Sequence, residues 1–223
     1  MKKSIIISFE GIDGCGKTTI VKKFYKYLKK KKLDAIVLHE PGSTHVGEKI
    51  RRILLNKNIS INKYCELFLY LASRIQLIEE KIKKYFDKNK IIILDRYIDS
   101  TFAYQGYGRK IPLKFIEKIH KKLISPKFIP DITFLIDEKP ENLIKILKNK
   151  KADRIEKESI EFQKRVRKGY LKLATKNKRI KIIRREDEET TFKKVLKEWE
   201  TFLNENRGNK KIFSKIKGKK QNI

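Results

Sequence analysis

A chain of 223 residues, 39% of them hydrophobic, is long enough for one sizeable core, since a domain of this size buries about 70% of the surface its unfolded chain exposes. That hydrophobic content excludes wholesale disorder in spite of a formal net charge of +30. No apolar run approaches the roughly 18 residues of a membrane span, and the stretch behind Met1, Lys2 and Lys3 is too short for a secretory signal. Of the 57 basic residues 45 are lysine, in a sequence also rich in Ile and Asn, and these three residue types share A+T-rich codons. The charge alone is therefore weak evidence for a nucleic-acid partner, although it favours the approach of anionic ligands at low salt. Cys15 and Cys65 form no metal-ligand spacing, and such sparse use of cysteine points to a reducing compartment, here read as the cytoplasm.

An apolar run at residues 5–9 predicts a buried strand, and a helix is predicted over 17–32, where Ile20, Val21, Phe24, Tyr27 and Leu28 share one face. Further strands are predicted at 35–39, 91–94, 132–136 and 180–183, and further helices at 50–55, 67–86, 113–123, 162–173 and 192–203. Strands alternating with amphipathic helices indicate an α/β domain whose parallel sheet is covered on both faces. Residues 147–158 are dense in charge and poor in apolar side chains, so they are predicted to stay out of the core, as a solvated connection or a mobile lid. The folded domain is taken as residues 1–206; residues 207–223 carry seven basic residues and no acidic ones, and are predicted to form a disordered tail.

Gly11, Ile12, Asp13, Gly14, Cys15, Gly16, Lys17 and Thr18 fit the phosphate-binding pattern G-x-x-x-x-G-K-[ST], placed between a predicted strand and a predicted helix as its mechanism requires. Glycines let successive backbone N–H groups curl round phosphate oxygens, and the helix N-terminus adds positive potential. Lys17 then bridges the β- and γ-phosphates and Thr18 offers its hydroxyl to Mg²⁺. ATP or a related nucleotide is the implied ligand. Asp95 and Arg96 directly follow the run at 91–94, at the carboxyl end of a strand, where open parallel sheets bind ligands. Asp95 can hold Mg²⁺ through water and Arg96 can fork onto a second phosphate. A surface ion pair ending the strand is the alternative.

Phe9 and Glu10 before the phosphate loop, Glu40-Pro41-Gly42, the spacing of Tyr70 and Arg74, Asp95-Arg96-Tyr97 followed by Ser100 and Ala103-Tyr104-Gln105, and Asp153-Arg154-Ile155-Glu156 occur in this order in thymidylate kinases. The sequence closely resembles that family from residue 3 to residue 202. The resemblance implies a P-loop NTP hydrolase-like fold: a doubly wound parallel sheet of five strands, helices on both faces and a short lid at about 147–158. It also implies a homodimer that transfers the γ-phosphate of ATP to dTMP with Mg²⁺, giving dTDP and ADP.

Carried over position by position, the resemblance assigns the acceptor phosphate to Arg96 and the metal to Thr18 and Asp95. Tyr70 takes the place of the ring that stacks on thymine, Arg74 the group on its carbonyl edge, and Thr101 the group on the other edge. Tyr104 lies where a ring beneath the sugar disfavours a ribose 2′-hydroxyl, with Gln105 supporting that wall and Ser100 close by. Without the family, Tyr70 reads as core and Arg74 as an exposed helix charge. Asp13 matches a contact to the sugar 3′-hydroxyl or the metal, Glu156 helps hold the acceptor side, and Glu40 with Thr44 is expected to face the site. Ser43 stands where members commonly have a second Gly.

The family keeps the cation that neutralises the transferring phosphate either in the loop or in the lid. Here Ile12, Asp13 and Cys15 supply none, whereas the lid holds Lys148, Lys150, Lys151 and Arg154, so Arg154 and then Lys151 are expected as the cationic finger. Arg184 and Arg185 follow the last predicted strand, where the family binds adenine, and Arg184 is assigned to ATP; surface charge is the alternative.

Two rival readings remain at this stage. One is another nucleoside monophosphate or deoxynucleoside kinase on the same fold; the other is a basic nucleic-acid-binding ATPase, which no aromatic platform or recognition helix supports. Cys15 lies near a helix start, a setting that can lower a thiol pKa and make an ATP site redox-sensitive. The residue is read as an inert small loop position, with redox sensitivity as the alternative. His39, His45 and His120 show no ligand spacing and are read as structural.

Overall fold

In the computed structural model, which describes residues 4–86, 88, 90–143 and 153–206, five strands form one sheet. They are β1 (Ile5–Glu10), β2 (Ala35–His39), β3 (Ile91–Asp95), β4 (Ile132–Asp137) and β5 (Ile180–Arg184), in the order β2-β3-β1-β4-β5 with every pairing parallel. Four of them run one residue past the predicted apolar runs, adding Glu10, Asp95, Asp137 and Arg184. At the carboxyl rim the backbone still pairs while the side chains have turned polar, so hydrophobicity marks the end of each strand one residue early.

Alternate residues of β1 feed two cores. Ile5, Ile7 and Phe9 pack with Phe24 and Leu28 of α1 (Lys17–Lys30), Val166 of α7 (Ile160–Lys176) and Trp199 of α8 (Glu188–Glu205). Ile6 packs on the opposite face with Ile92, Leu94 and Leu77, the last residue of α3 (Lys63–Leu77). Burial on both faces is why these strands read as unbroken apolar runs.

The helices differ from the predicted ones where caps and π turns intervene. α2 (His45–Leu55) starts ahead of residue 50 because the Thr44 side chain accepts from the Gly47 N–H at 2.9 Å. α3 starts ahead of residue 67, where Asn62 accepts from the Tyr64 N–H at 2.9 Å, and a π-helical turn at Ile78–Ile82 separates it from α4 (Lys83–Phe86). Between β3 and α6 (Leu113–Leu123) lie the short α5 (Ile98–Thr101) and a π-helical segment, Phe102–Gly108, neither of them legible as an amphipathic period. π segments of this kind recur at functional sites.

Residues 147–152 of the predicted lid, Lys148, Lys150 and Lys151 among them, and all of the predicted tail 207–223 lie outside the described residues. The remainder of the lid corrects the expectation that it keeps out of the core. Ile155 is buried in the larger core cluster, and the Asp153 carboxylate accepts from the Ile155 and Glu156 N–H groups at 2.8 and 2.9 Å. Among the described residues no helix is long and apolar enough to cross a membrane.

Candidate active site

β1 hands over to α1 through the phosphate loop. Gly11 leaves the strand at φ 148°, and a Cβ there would stand 2.5 Å from the Ile136 carbonyl oxygen, so only glycine fits. Gly16 precedes α1 in the left-handed region, at φ 83°, and no side chain caps the helix at this residue, so its positive end faces the groove that the loop lines. Lys17 Nζ forms an ion pair with Asp95, and the Thr18 hydroxyl donates to the other Asp95 oxygen at 2.8 Å. Register makes this possible: Phe9 faces Asp95 across β1 and β3, which sets the end of β3 beside the root of the loop.

Burial acts to raise the Asp95 carboxyl, but Lys17, with Arg96 and Thr18, outweighs it and holds the group below its ordinary range. An ionised carboxylate and a hydroxyl side by side are hard oxygen donors. They suit Mg²⁺, which takes one or two carboxylates and completes its shell with phosphate and water. Asp153 and Glu156, from the foot of the lid, line the same groove as the loop residues.

A second cleft opens beside Asp13, lined by Glu40, Tyr70, Arg96, Ser100, Thr101, Tyr104 and Gln105, with Arg51, Asp153 and Ile155. Arg96 sits at φ 69°, a conformation strained for a side chain with a Cβ, and its N–H donates to the Phe9 carbonyl at 3.0 Å. Its guanidinium turns back onto the loop: Nη1 donates to the Gly11 carbonyl and Nη2 to Asp13, both at 2.6 Å. The Tyr104 hydroxyl donates to the other Asp13 oxygen at 2.7 Å. The acid inside the phosphate loop is thus neutralised by Arg96 and not left to repel phosphate. Thr101 Oγ1 is buried in this cleft and has no hydrogen-bond partner among the described residues.

Two buried ion-pair networks back the cleft. Glu66 of α3 accepts from Gln105 Nε2 at 2.9 Å and from Arg109 Nε and Nη2 at 3.0 Å each, and Arg154 Nη2 stands 2.7 Å away. Burial acts to raise the Glu66 carboxyl, yet Arg109, Gln105 and Arg154 hold it below its ordinary range. An ionised carboxylate only accepts, so the Gln105 amide must turn its NH₂ to Glu66, which leaves its carbonyl oxygen for the cleft.

In the second network Arg74 Nε donates to Glu40 at 2.9 Å, while Nη2 pairs with the other Glu40 oxygen and donates to the Tyr97 carbonyl at 3.1 Å. Nη1 lies 2.7 Å from His120 Nε2, and His120 Nδ1 lies 2.9 Å from the Ile116 carbonyl. Arginine can only donate, so this imidazole is neutral, with its hydrogen on Nδ1.

Burial, and then the Arg74 charge, push the His120 pKa from 6.5 down to about 3. The unfolded chain takes up this proton below pH 6.5 and the folded chain does not until about pH 3. His120 therefore contributes stability fully above pH 6.5, and the contribution falls by about 1.4 kcal/mol per pH unit below it. Glu10, raised from 4.5 to about 7, acts with the opposite sign across part of that window. The His120 contribution is accordingly read as the difference between wild type and His120→Gln, which keeps an acceptor for Arg74. Urea denaturation is expected to show wild type losing about 2 kcal/mol against the variant between pH 6.5 and pH 5. A difference independent of pH would refute the buried neutral imidazole.

The family model described as thymidylate kinase matches residues 9–196. The chain belongs to the thymidylate kinase family. A thymidylate kinase from Caldanaerobacter subterraneus subsp. tengcongensis is 52% identical over 167 residues, covering 75% of this chain and 80% of its own. One from Thermoanaerobacter sp. (strain X514) is 47% identical over 171 residues, 77% of this chain and 84% of its own. The crystal structure of thymidylate kinase from Ehrlichia chaffeensis matches with a TM-score of 0.73 at 33% identity, over 88% of this chain and 98% of that one.

Set beside the thymidylate kinase pattern, Asp13, Glu40, Tyr70, Arg96, Ser100, Thr101, Tyr104 and Gln105 meet in one cleft next to the phosphate loop. Three residues are placed differently from expectation. Arg74 is neither an exposed charge nor part of the cleft lining: it is 1% exposed, and four of its five N–H donors are taken by Glu40, Tyr97 and His120. Arg154 points away from the loop, donating to the Leu54 carbonyl at 2.8 Å and pairing with Glu66, because Glu66 is a buried charge that requires partners. Arg184 is exposed at the end of β5, and it is Arg185 whose Nε would lie 3.6 Å from a Cβ on Gly16. Burial pushes the Cys15 thiol up despite Lys17 and Arg96, as suits an inert loop residue and not an activated thiol.

Glu10, Glu66, Arg109 and Tyr170 join the site only in the folded chain. Glu10, next to Gly11, was within reach of a motif reading; Tyr170 bonds it from 160 positions away and carried no local signal.

Proposed function

We propose that this chain transfers the γ-phosphate of ATP to dTMP, releasing ADP and dTDP, as a cytoplasmic, homodimeric enzyme. The reading is carried by two cationic grips that meet on one loop, Lys17 with Asp95 and Arg96 with Asp13 and the Gly11 carbonyl. The loop N–H groups and Lys17 hold the donor phosphates, and Arg96 brings its charge and its Nε–H to the acceptor phosphate, its two Nη groups being engaged by Gly11, Asp13, Ser100, Tyr104 and Tyr170. An oxygen of that phosphate attacks the γ-phosphorus, the bond to the β,γ-bridging oxygen breaks, and that oxygen leaves on ADP. With a second pKa near 6 the acceptor is already an anionic nucleophile at pH 7, so alignment and charge neutralisation suffice without a general base. Thr18 and Asp95 would hold Mg²⁺, whose charge neutralises the β- and γ-phosphate oxygens.

Base recognition is supported by the Thr101 hydroxyl, without a partner among the described residues, and by the Gln105 carbonyl, which the bond from Nε2 to Glu66 turns away from that carboxylate and which is an acceptor matched to the N3–H of thymine and mismatched to the bare N3 of cytosine. Tyr70 supplies the ring face and Tyr104 the wall under the sugar, with Asp13 at the sugar side. Arg74 reaches the base site through Glu40, which lines the cleft, and not by lining it itself. Arg154 is committed to Glu66 and the Leu54 carbonyl, and the transferring phosphate is assigned to the second of the expected lid cations, Lys151. Exposed Tyr64 and Phe68 on α3 support the homodimer, and two free cysteines suit a reducing compartment.

The deciding experiment is ADP release from ATP and Mg²⁺ with dTMP, dUMP, UMP, dCMP or no acceptor. Strong turnover with dTMP, and little with UMP or dCMP, is expected. Comparable rates across the panel would remove the specificity claim, and stimulation by DNA or RNA alone would overturn the whole reading.

A further inference from the structure

We propose that Glu10 is a positioning residue for the acceptor phosphate, acting through the Ser100 and Tyr170 hydroxyls to hold the Arg96 guanidinium in place. The inference rests on the reading that Arg96 grips that phosphate. Glu10 is the last residue of β1 and is fully buried, directly behind the phosphate loop. One of its oxygens accepts the Tyr97 N–H at 2.8 Å; the other accepts the Ser100 hydroxyl at 2.6 Å and the Tyr170 hydroxyl at 2.9 Å. The two hydroxyl oxygens are 2.8 Å apart, and Arg96 Nη1 donates to them at 3.4 and 3.2 Å.

Each hydroxyl has one hydrogen, and Arg96 has only donors. The hydroxyl hydrogens must therefore point away from Arg96, and Glu10 is the acceptor that ends the chain. Its carboxylate turns the lone pairs of both hydroxyls towards the guanidinium. The same carboxylate anchors the Tyr97 N–H, next in sequence to Arg96, so backbone and side chain of the arginine are set from one point.

Glutamine in this place has no satisfactory orientation. With its NH₂ towards the hydroxyls, one hydroxyl hydrogen is driven towards Arg96; with its NH₂ towards Tyr97, two N–H donors oppose each other. Either arrangement displaces the guanidinium while the volume of the side chain stays the same.

Burial, and then Asp99 of α5, push the Glu10 carboxyl up to about 7, while Ser100, Arg96 and Tyr170 draw it back. Arg74 of α3 and Arg179, just ahead of β5, also face it. Protonated Glu10 is a donor, as glutamine is. In wild type kcat/KM for dTMP is thus expected to rise as pH climbs through about 7, and Glu10→Gln is expected to lack that step. The ionisation of dTMP itself, near pH 6, appears in both.

The test is steady-state kinetics of wild type and Glu10→Gln with dTMP and ATP between pH 5.5 and about 8.5, a span set by the two ionisations. A fall of about 10- to 100-fold in kcat/KM for dTMP is expected, the size of effect that a misplacement of about 1 Å produces, with KM for ATP within about twofold of wild type. Unchanged dTMP kinetics, an equal loss for both substrates, or an unaltered pH profile would overturn the proposal. Where Glu10→Gln does not fold, Tyr170→Phe decides, since it keeps the buried ring and removes one bridging hydroxyl: it must show the dTMP-selective loss. A wild-type enzyme that ignores dTMP would overturn the proposed function and this inference with it. Wild-type turnover of dTMP beside an indifferent variant overturns this inference alone.

Discussion

Lys17→Ala is expected to lower kcat by about 10²- to 10³-fold, the loss typical of removing one preorganised donor from a transition state with developing charge. The side chain is 7% exposed and is held by Asp95 at the mouth of the loop, where a low dielectric strengthens its field. ATP binding should weaken but persist, because the backbone N–H groups around Gly14 and Gly16 remain. The fold should survive as well: Asp95 keeps the Thr18 hydroxyl at 2.8 Å and its second oxygen can reach water from the open groove. Turnover, nucleotide titration and circular dichroism on one preparation check all three. Turnover within about tenfold of wild type would contradict the placement of Lys17 on the transferring phosphate.

Arg74→Leu is expected to act on stability before it acts on catalysis. Arg74 and Glu40 are 1% and 3% exposed, so removing the arginine leaves a buried carboxylate without its counter-charge. Breaking such a pair costs about 3–5 kcal/mol, a large part of the roughly 5–15 kcal/mol that holds a domain together. In wild type, burial opposes the Arg74 charge and Glu40 more than offsets that opposition.

Glu40→Gln/Arg74→Met removes both charges at similar volume and is expected to recover most of the lost stability. Urea denaturation of the single and double variants measures both effects. A single variant as stable as wild type, with only dTMP use impaired, would restore Arg74 to a purely base-reading role.

What is legible in the sequence is whatever sits in one contiguous stretch. The phosphate loop is legible because a run of backbone N–H groups needs glycines at fixed offsets, and the strand before it and helix after it are themselves periodic. Asp95 and Arg96 were legible because they follow an apolar run directly. Arg154 shows where that kind of reading fails: its place in the lid suggested a phosphate contact, but its partners, Glu66 and the Leu54 carbonyl, come from α3 and α2. The partners of Arg74 are hidden from such a reading for the same reason. Helical spacing put it one turn from Tyr70 and could not reveal that Glu40 and His120 enclose it.

The sequence by itself determined the five-stranded α/β sheet, the phosphate loop, the Asp95–Arg96 rim and the family to which the chain belongs. Hydrophobic period and local backbone chemistry need no knowledge of distant partners. The tertiary structure alone decided which charges are buried, which hydrogen-bond donors are already spent, and that Glu10, Ser100 and Tyr170 stand together behind Arg96. Those outcomes depend on how α3, the π-helical segment and α7 pack over the end of β1. Burial is a property of that packing, and in a low dielectric it is burial that makes each unpaired charge or hydroxyl costly enough to dictate its neighbours.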